Sequence, residues 1–340
     1  MAKVTLKDIA REVGLSPTSV SLVLNNRPCR VSEENRRRIK EVARRKHYIP
    51  NQIARSLVMQ QSHSFGLVVP NIQSRYFASL ANNLEVLCRE RGYLLLITNS
   101  VGSSESDAEL VRLLVNRGVD GIFLVVSDEF TTDKELIDDL TQLPVPLVMV
   151  DRFIDGVSCD RVRYDNELGG YLATDHLLRH GHQHVACIIN PDSNTGRLRL
   201  AGYRRALGEH GIAFDPGLVF ESDYYIPDAW QAAEGLLATD ATAAFASSDN
   251  IALGLLKRVY ERGLRVPEDL SVVSYDNSAA DSLFEPALTS IEQNAPAISE
   301  VAVQMMLARV GEHARDDDVA APVERILTPR LVEKDSVRAL

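Results

Sequence analysis

Eight short apolar runs mark the 340-residue chain between residues 65 and 276: FGLVVP, YLLLIT, GIFLVV, PLVMVD, HVACIIN, GLVFES, AAFASSD and LSVVSYD. Each is long enough for one strand and too short for a buried helix. Their continuous apolar character is what a strand covered on both faces requires. Amphipathic stretches separate them. One of these, YFASLANNLEVLCRERGY, carries Phe77, Leu80, Leu84 and Leu87 on a single stripe. Strands alternating with helices predict parallel, doubly wound sheets. Two successive sets of four runs predict two lobes with a cleft between them.

The first 60 residues do not follow this pattern. They hold 13 Lys/Arg against 5 Asp/Glu, a net of +8, while the remaining 280 residues carry 24 against 42, a net of −18. A basic head on an acidic body suggests that the head alone meets a polyanion. Three short helices are predicted in it. Thr5 caps the first, with Asp8 three residues on, and Gly14 ends it. Ser16 caps the second and Pro17 takes its first position, where no N–H is needed. Val20, Val23 and Leu24 face inward, leaving Thr18, Ser21, Leu22 and Asn25 on the other side. The third begins at Ser32, buries Ile39, Val42 and Ala43, and crowds Arg36, Arg37 and Arg38 at its outer edge. Two helices joined by a glycine turn, braced by a third, predict a helix-turn-helix.

The stretches TLKDIAREVGLSPTSVSLVLN and VSEENRRRIKEVARRKHYIPNQIARSLV resemble the LacI/GalR family of bacterial transcription regulators. The resemblance extends over essentially the whole chain. It implies that the second helix enters the major groove, with Ser16, Pro17, Thr18, Ser21, Leu22 and Asn25 toward DNA and Thr5 and Leu6 near the backbone. Thr18 and Asn25 can hydrogen-bond base edges or phosphates. Leu22 stands where the family often has a polar or basic residue and can make only apolar contact, so the operator sequence is left open. The segment Asn51–Val58 is too short for a stable isolated helix. By resemblance it is a hinge helix capped by Asn51, with Ala54 on its apolar face and Leu57 wedged into the minor groove.

Ligands of doubly wound sheets bind beyond the carboxyl ends of the strands. Tyr76, Phe77, Ser127, Asp151 and Arg152 stand there in the first lobe. Arg199, Asp249 and Asp276 stand there in the second, and the resemblance to the family adds Tyr224 as a wall residue and Gln293 at a crossover between lobes. Aromatic faces, carboxylates and arginines together suit a polyhydroxylated ligand such as a sugar. Arg152 and Arg199 leave an anionic ligand open. The resemblance implies a body like the type-I periplasmic sugar-binding proteins, with these residues on the effector.

The expected organisation is a helix-turn-helix head at 1–50, a hinge at 51–61 and a body at 62–340. Lobe 1 takes about 62–161 and 293–327, and lobe 2 about 162–292 and 328–340. The expected function is a repressor that binds palindromic operator DNA as a homodimer under the control of a small-molecule effector. The helix around 77–91 is a candidate dimer face, and the absence of a trailing leucine heptad favours dimers. The N-terminus has no apolar signal core and no run is long enough to span a membrane, so a cytoplasmic location is expected. Cys29, Cys88, Cys159 and Cys187 form no CxxC pair and read as reduced packing residues. The alternating His180, His182 and His184 are read as structural, with no metal expected. No nucleophile elbow, P-loop or HExxH is present, so no enzyme is expected. An exported solute-binding protein would lack the basic head.

Overall fold

The computed structural model describes residues 4–25, 28–48, 61–127, 129, 134–278, 285–313 and 320–340. Asn51, Ala54 and Leu57 lie outside the described residues. The chain forms two compact units, Met1–Ser62 and His63–Leu340.

The first unit holds α1 (Leu6–Val13), α2 (Pro17–Leu24) and α3 (Glu33–Arg45). Thr5 and Asp8 form a reciprocal capping box, with the Thr5 amide 2.9 Å from an Asp8 carboxylate oxygen. Gly14, at φ 70°, supplies the left-handed turn into α2, where a side chain would be strained. Ser16 and Ser32 cap α2 and α3. Ile9, Ala10, Val13, Val20, Val23, Ile39, Val42 and Ala43 make the core. Glu12 on α1 pairs with Arg45 and with Lys46 at 2.7 Å, tying α1 to the end of α3. Arg36 departs from its expected outward position. It folds back to donate to the carbonyls of Cys29 (2.9 Å) and Val31 (3.2 Å), bracing the loop before α3.

The second unit holds β1 (Ser64–Val69), α4 (Arg75–Glu90), β2 (Leu94–Asn99), α5 (Ser104–Asn116), β3 (Ile122–Leu124), α6 (Lys134–Thr141), β4 (Leu147–Val150) and β5 (Asp160–Tyr164). The chain then crosses to α7 (Asn166–Arg179), β6 (Val185–Ile189), α8 (Asn194–Glu209), β7 (Val219–Glu221), α9 (Ile226–Leu236), β8 (Ala243–Ala246), α10 (Asp249–Glu261), β9 (Ser271–Asp276) and β10 (Thr289–Glu292). It returns with α11 (Ala295–His313) and β11 (Glu324–Leu327), and ends on β12 (Arg330–Val332).

The strand orders are β11-β5-β4-β3-β1-β2 and β12-β10-β9-β8-β6-β7, two copies of one topology. Every pairing is parallel except β10 with β12. The eight apolar runs form β1–β4 and β6–β9. The inner six, β1, β3, β4, β6, β8 and β9, are buried because helices cover both faces of each sheet, giving each lobe two apolar layers, while the edge strands β2 and β7 are partly exposed. Phe77, Leu80 and Leu84 of the α4 stripe are buried, and Leu87 packs against that layer. Among the described residues no helix is long and apolar enough to cross a membrane.

Helices α7 and α8 touch backbone to backbone. A methyl group on Gly170 would sit 2.1 Å from the Arg199 carbonyl oxygen, and one on Gly202 would sit 2.0 Å from that of Glu167. Only glycine permits this approach, and it sets the position of Arg199.

Candidate effector cleft and nucleic-acid interface

Residues that follow the carboxyl ends of β1, β3, β4, β6, β8 and β9 line one cleft with about 240 Å³ of free volume. All ten residues singled out in the sequence for the effector lie on it. Tyr76, Phe77, Ser127, Asp151 and Arg152 come from the first lobe, Arg199, Tyr224, Asp249 and Asp276 from the second, and Gln293 from the crossing.

Asp151 and Asp276 occupy matching places, at the ends of β4 and β9, the fourth strand of each lobe in chain order. Both have positive φ, 68° and 92°, a conformation uncommon outside glycine and concentrated at functional sites. Tyr76 donates to Asp151 at 3.3 Å, and the Gln293 amide donates to Asp276 at 2.8 Å. Burial pushes the Asp151 carboxyl up, against the pull of Arg152 and Arg199. Asp249 opens α10 and turns inward, accepting from Ser274 Oγ at 2.7 Å and from the Ser278 amide and hydroxyl at 2.8 and 2.7 Å. Burial, with Asp276 beside it, pushes Asp249 up to about 6. Ser127 is held by Asp107, at 2.8 Å through its amide and 3.0 Å through its hydroxyl.

The two arginines are already engaged. Arg199, 4% exposed, stacks on Tyr275 with 3.6 Å from Cζ to the ring centroid. It donates to Asn166 at 2.8 Å and to the Ser247 carbonyl. Arg152 lies between Phe77 of one lobe and Tyr224 of the other, at 5.4 and 5.3 Å.

Several contributors carry no strong sequence signal. Glu129, from the loop after β3, reaches across to the N-terminus of α8, where Oε2 accepts from the amides of Asn194 (3.0 Å) and Thr195 (3.3 Å). Burial pushes its carboxyl up, although Arg152 pulls the other way. Asn71 and Asn190 follow the first strand of each sheet and line the cleft from matching places. Each carboxamide oxygen accepts from the amide two residues on, at 2.9 and 2.8 Å. The repeated strand-then-Asn pattern was the available signal for Asn190. Around the cleft, Glu129 Oε1, Arg152 Nε, Ser247 Oγ and Gln293 Oε1 are buried without a hydrogen-bond partner. Buried polar atoms are normally paired, and Arg152 and Gln293 line the cleft itself, so their open atoms mark a place where a ligand or water completes the set.

On the head, Ser16, Pro17 and Thr18 are exposed at the start of α2, and Ser21, Leu22 and Asn25 are half-buried along it. The Asn25 carboxamide donates to the Ser21 carbonyl at 2.8 Å. Thr5 is exposed and Leu6 half-buried at the start of α1. Arg37, Arg38, Lys40, Arg44 and Arg45 are exposed on α3. A helix start with small polar side chains, beside a cationic surface, suits a phosphate backbone and base edges.

The family description "Bacterial regulatory proteins, lacI family" matches residues 5–51, and "Periplasmic binding protein-like domain" matches 174–337. The HTH-type transcriptional repressor PurR of Vibrio atlanticus (strain LGP32) is 31% identical over 339 residues, 99% of each chain. PurR of Aliivibrio fischeri (strain ATCC 700601 / ES114) is 33% identical over 338 residues, 98% of each. Among solved structures, the lac repressor dimer bound to operator and the anti-inducer ONPF is similar with a TM-score of 0.85 at 26% identity, covering 99% of this chain and 100% of that one. A complex of the transcriptional regulator CelR with cellobiose is similar with a TM-score of 0.72 at 29% identity, covering 98% and 100%. A basic helix-turn-helix unit followed by a two-lobed body with a polar cleft, matched along nearly its whole length by such relatives, makes this chain a member of the lacI family of bacterial regulatory proteins.

Proposed function

We propose that the protein is a cytoplasmic repressor that binds a palindromic operator as a homodimer and is switched by a neutral, polyhydroxylated small molecule in the interlobe cleft. The observation that carries this is the convergence of ten polar and aromatic residues on one cleft, two of which, Arg152 and Gln293, bring a buried polar atom without a partner. Carboxylates at two matching strand ends suit hydroxyl donors, and aromatic rings suit sugar faces. A phosphate or carboxylate ligand fits less well. Arg199 already stacks and donates, and Arg152 faces the carboxylates of Glu129, Asp107 and Asp151. Related structures with cellobiose and ribose bound support the sugar class.

Glu129 on the α8 N-terminus and Arg152 between Phe77 and Tyr224 tie the lobes together in this pose. An effector that binds one lobe angle better than another shifts the population by its differential affinity alone. A coupling of about 1–3 kcal/mol changes operator affinity about 5- to 150-fold. The segment with Asn51, Ala54 and Leu57 is the proposed relay to DNA, and Thr5, Leu6, Ser16, Pro17, Thr18, Ser21, Leu22 and Asn25 the proposed contact set.

The test begins by selecting a binding duplex from a random pool. Its affinity is then measured in the presence of neutral sugars, sugar phosphates, sugar acids and planar nucleobases. A neutral sugar should both raise the Tm of the body and change duplex affinity. A response confined to a charged or planar ligand would reject the proposed effector class. No preference for any duplex would reject the repressor.

A further inference from the structure

The C-terminal end of α7 brings together two histidines and a carboxylate that the effector cleft does not use. His176 and His180 are four residues apart, one helical turn, so both imidazoles leave the same face, with ring centroids 4.3 Å apart. Glu333, just after β12, comes up beside them. One ligating atom from each of the three lies within 4.8 Å of the others. His176 is only 7% exposed, and its Nε2 is buried with no hydrogen-bond partner. His180 Nδ1 lies 2.7 Å from the His176 carbonyl oxygen, which puts the ring proton on Nδ1 and leaves the Nε2 lone pair free. A backbone acceptor on the far nitrogen is the usual arrangement behind a metal-ligating histidine. Cations are also favoured at a helix C-terminus, and α7 ends here, with His180 as its cap.

We propose that His176, His180 and Glu333 bind one divalent transition-metal ion, with Zn²⁺ the best match. Two imidazoles and a carboxylate select Zn²⁺, Co²⁺ or Ni²⁺ over Ca²⁺ and Mg²⁺, which prefer all-oxygen sets. Three protein ligands leave a fourth tetrahedral position for water. Zn–N and Zn–O bonds of about 2.0–2.2 Å require the three atoms to draw in from their present separation. The exposed side chain of Glu333 and the half-buried one of His180 leave room for that movement. Arg179, the neighbour of His180 in the chain, is turned to Asp175 at 2.9 Å. The other histidines of this segment are committed elsewhere. His182 holds Thr242 Oγ1 at 2.9 Å and the Arg338 carbonyl at 3.1 Å, and His184 pairs with Asp240 at 2.9 Å. The ion would pin α7 to the strand on which the chain ends after its return from the first lobe.

The untagged full-length protein is stripped with a chelator and titrated with Co²⁺, following its visible absorption, and then with Zn²⁺ in competition. One equivalent of Co²⁺ should bind and be displaced by Zn²⁺, and Zn²⁺ should raise the Tm. Ca²⁺ and Mg²⁺ should do neither. His180→Ala and Glu333→Gln should each lose the one-equivalent step and the Tm rise, while circular dichroism of the metal-free protein stays unchanged. No Co²⁺ uptake by the wild type, or the same uptake in both variants, would overturn the proposal.

Discussion

Asp276 has the clearest individual role in the cleft. One oxygen accepts from Gln293, and the side chain lines the cleft beside Asp249 at a strand end with unusual φ. Asp276→Ala should weaken effector binding about 10- to 100-fold, the worth of one charge-assisted hydrogen bond, and leave operator affinity without effector unchanged. Calorimetry against the effector, alongside DNA anisotropy, checks both halves, and an unaltered effector isotherm would remove Asp276 from the contact set. Asp249 yields a different expectation. Its folded pKa lies above the usual carboxylate value, so between pH 4 and about 6 the folded state holds a proton that the unfolded chain has released. The stabilisation is therefore complete below the unfolded value and is lost as pH rises through the folded one. The wild-type Tm should fall more than that of Asp249→Asn between pH 5 and 7. Parallel pH profiles would refute this. Residues such as Asp151 and Asp276 were legible because an acid directly after an apolar run marks a strand end. Glu129 was not, because a carboxylate in a loop looks solvated until the opposite lobe supplies the amides it caps.

Among the elements, the six inner strands β1, β3, β4, β6, β8 and β9 were legible because burial on both faces makes their runs mostly apolar, and the edge strands β2 and β7 were legible from shorter apolar runs of the same kind. Strands β5, β10, β11 and β12 were not. In β5, Asp160, Val162 and Tyr164 are buried while Arg161 and Arg163 are half-exposed, so the strand resembles a polar loop. Asp160 tolerates burial because Arg309 of α11 grips it with two bonds of 2.8 and 2.6 Å and the Val323 amide adds a third at 2.8 Å. That network depends on a partner about 150 residues away, which no local window reveals. The purpose of Gly170 in α7 emerges only from its neighbours. Gly170→Ala would drive a methyl group into the Arg199 backbone, where no flexible side chain can yield. A destabilisation of about 2–3 kcal/mol is expected, as for other overpacked cores. Gly208→Ala, also on α8 but with nothing within 4 Å of the added carbon, should be neutral or stabilising by up to about 1 kcal/mol. Equal Tm losses in the two variants would show that the close approach of α7 and α8 is not what the glycine protects.

For the whole molecule, the outstanding requirement is a second copy. One helix-turn-helix reads too few base pairs for operator specificity, and a palindrome presents two half-sites related by a two-fold axis. The body offers a surface for that pairing in β2, which lies at the edge of its sheet and exposes Leu94 (61%) and Ile97 (43%). Edge strands facing only water are usually short, charged or interrupted, and an apolar one invites another chain. Helix α4, the candidate face in the sequence, packs beside this strand but turns most of its apolar residues inward onto the sheet, so the edge strand carries more of the unpartnered apolar surface. Leu94→Glu combined with Ile97→Glu should yield monomers in sedimentation velocity, because like charges would face each other across the two-fold axis. Operator affinity should then fall toward the non-specific level, about 10³-fold or more, since each head would hold a half-site alone. Effector binding should persist, because both lobes of the cleft come from one chain. A double variant that stays dimeric would move the interface away from β2. One that becomes monomeric and still binds the full operator with unchanged affinity would remove the need for pairing altogether.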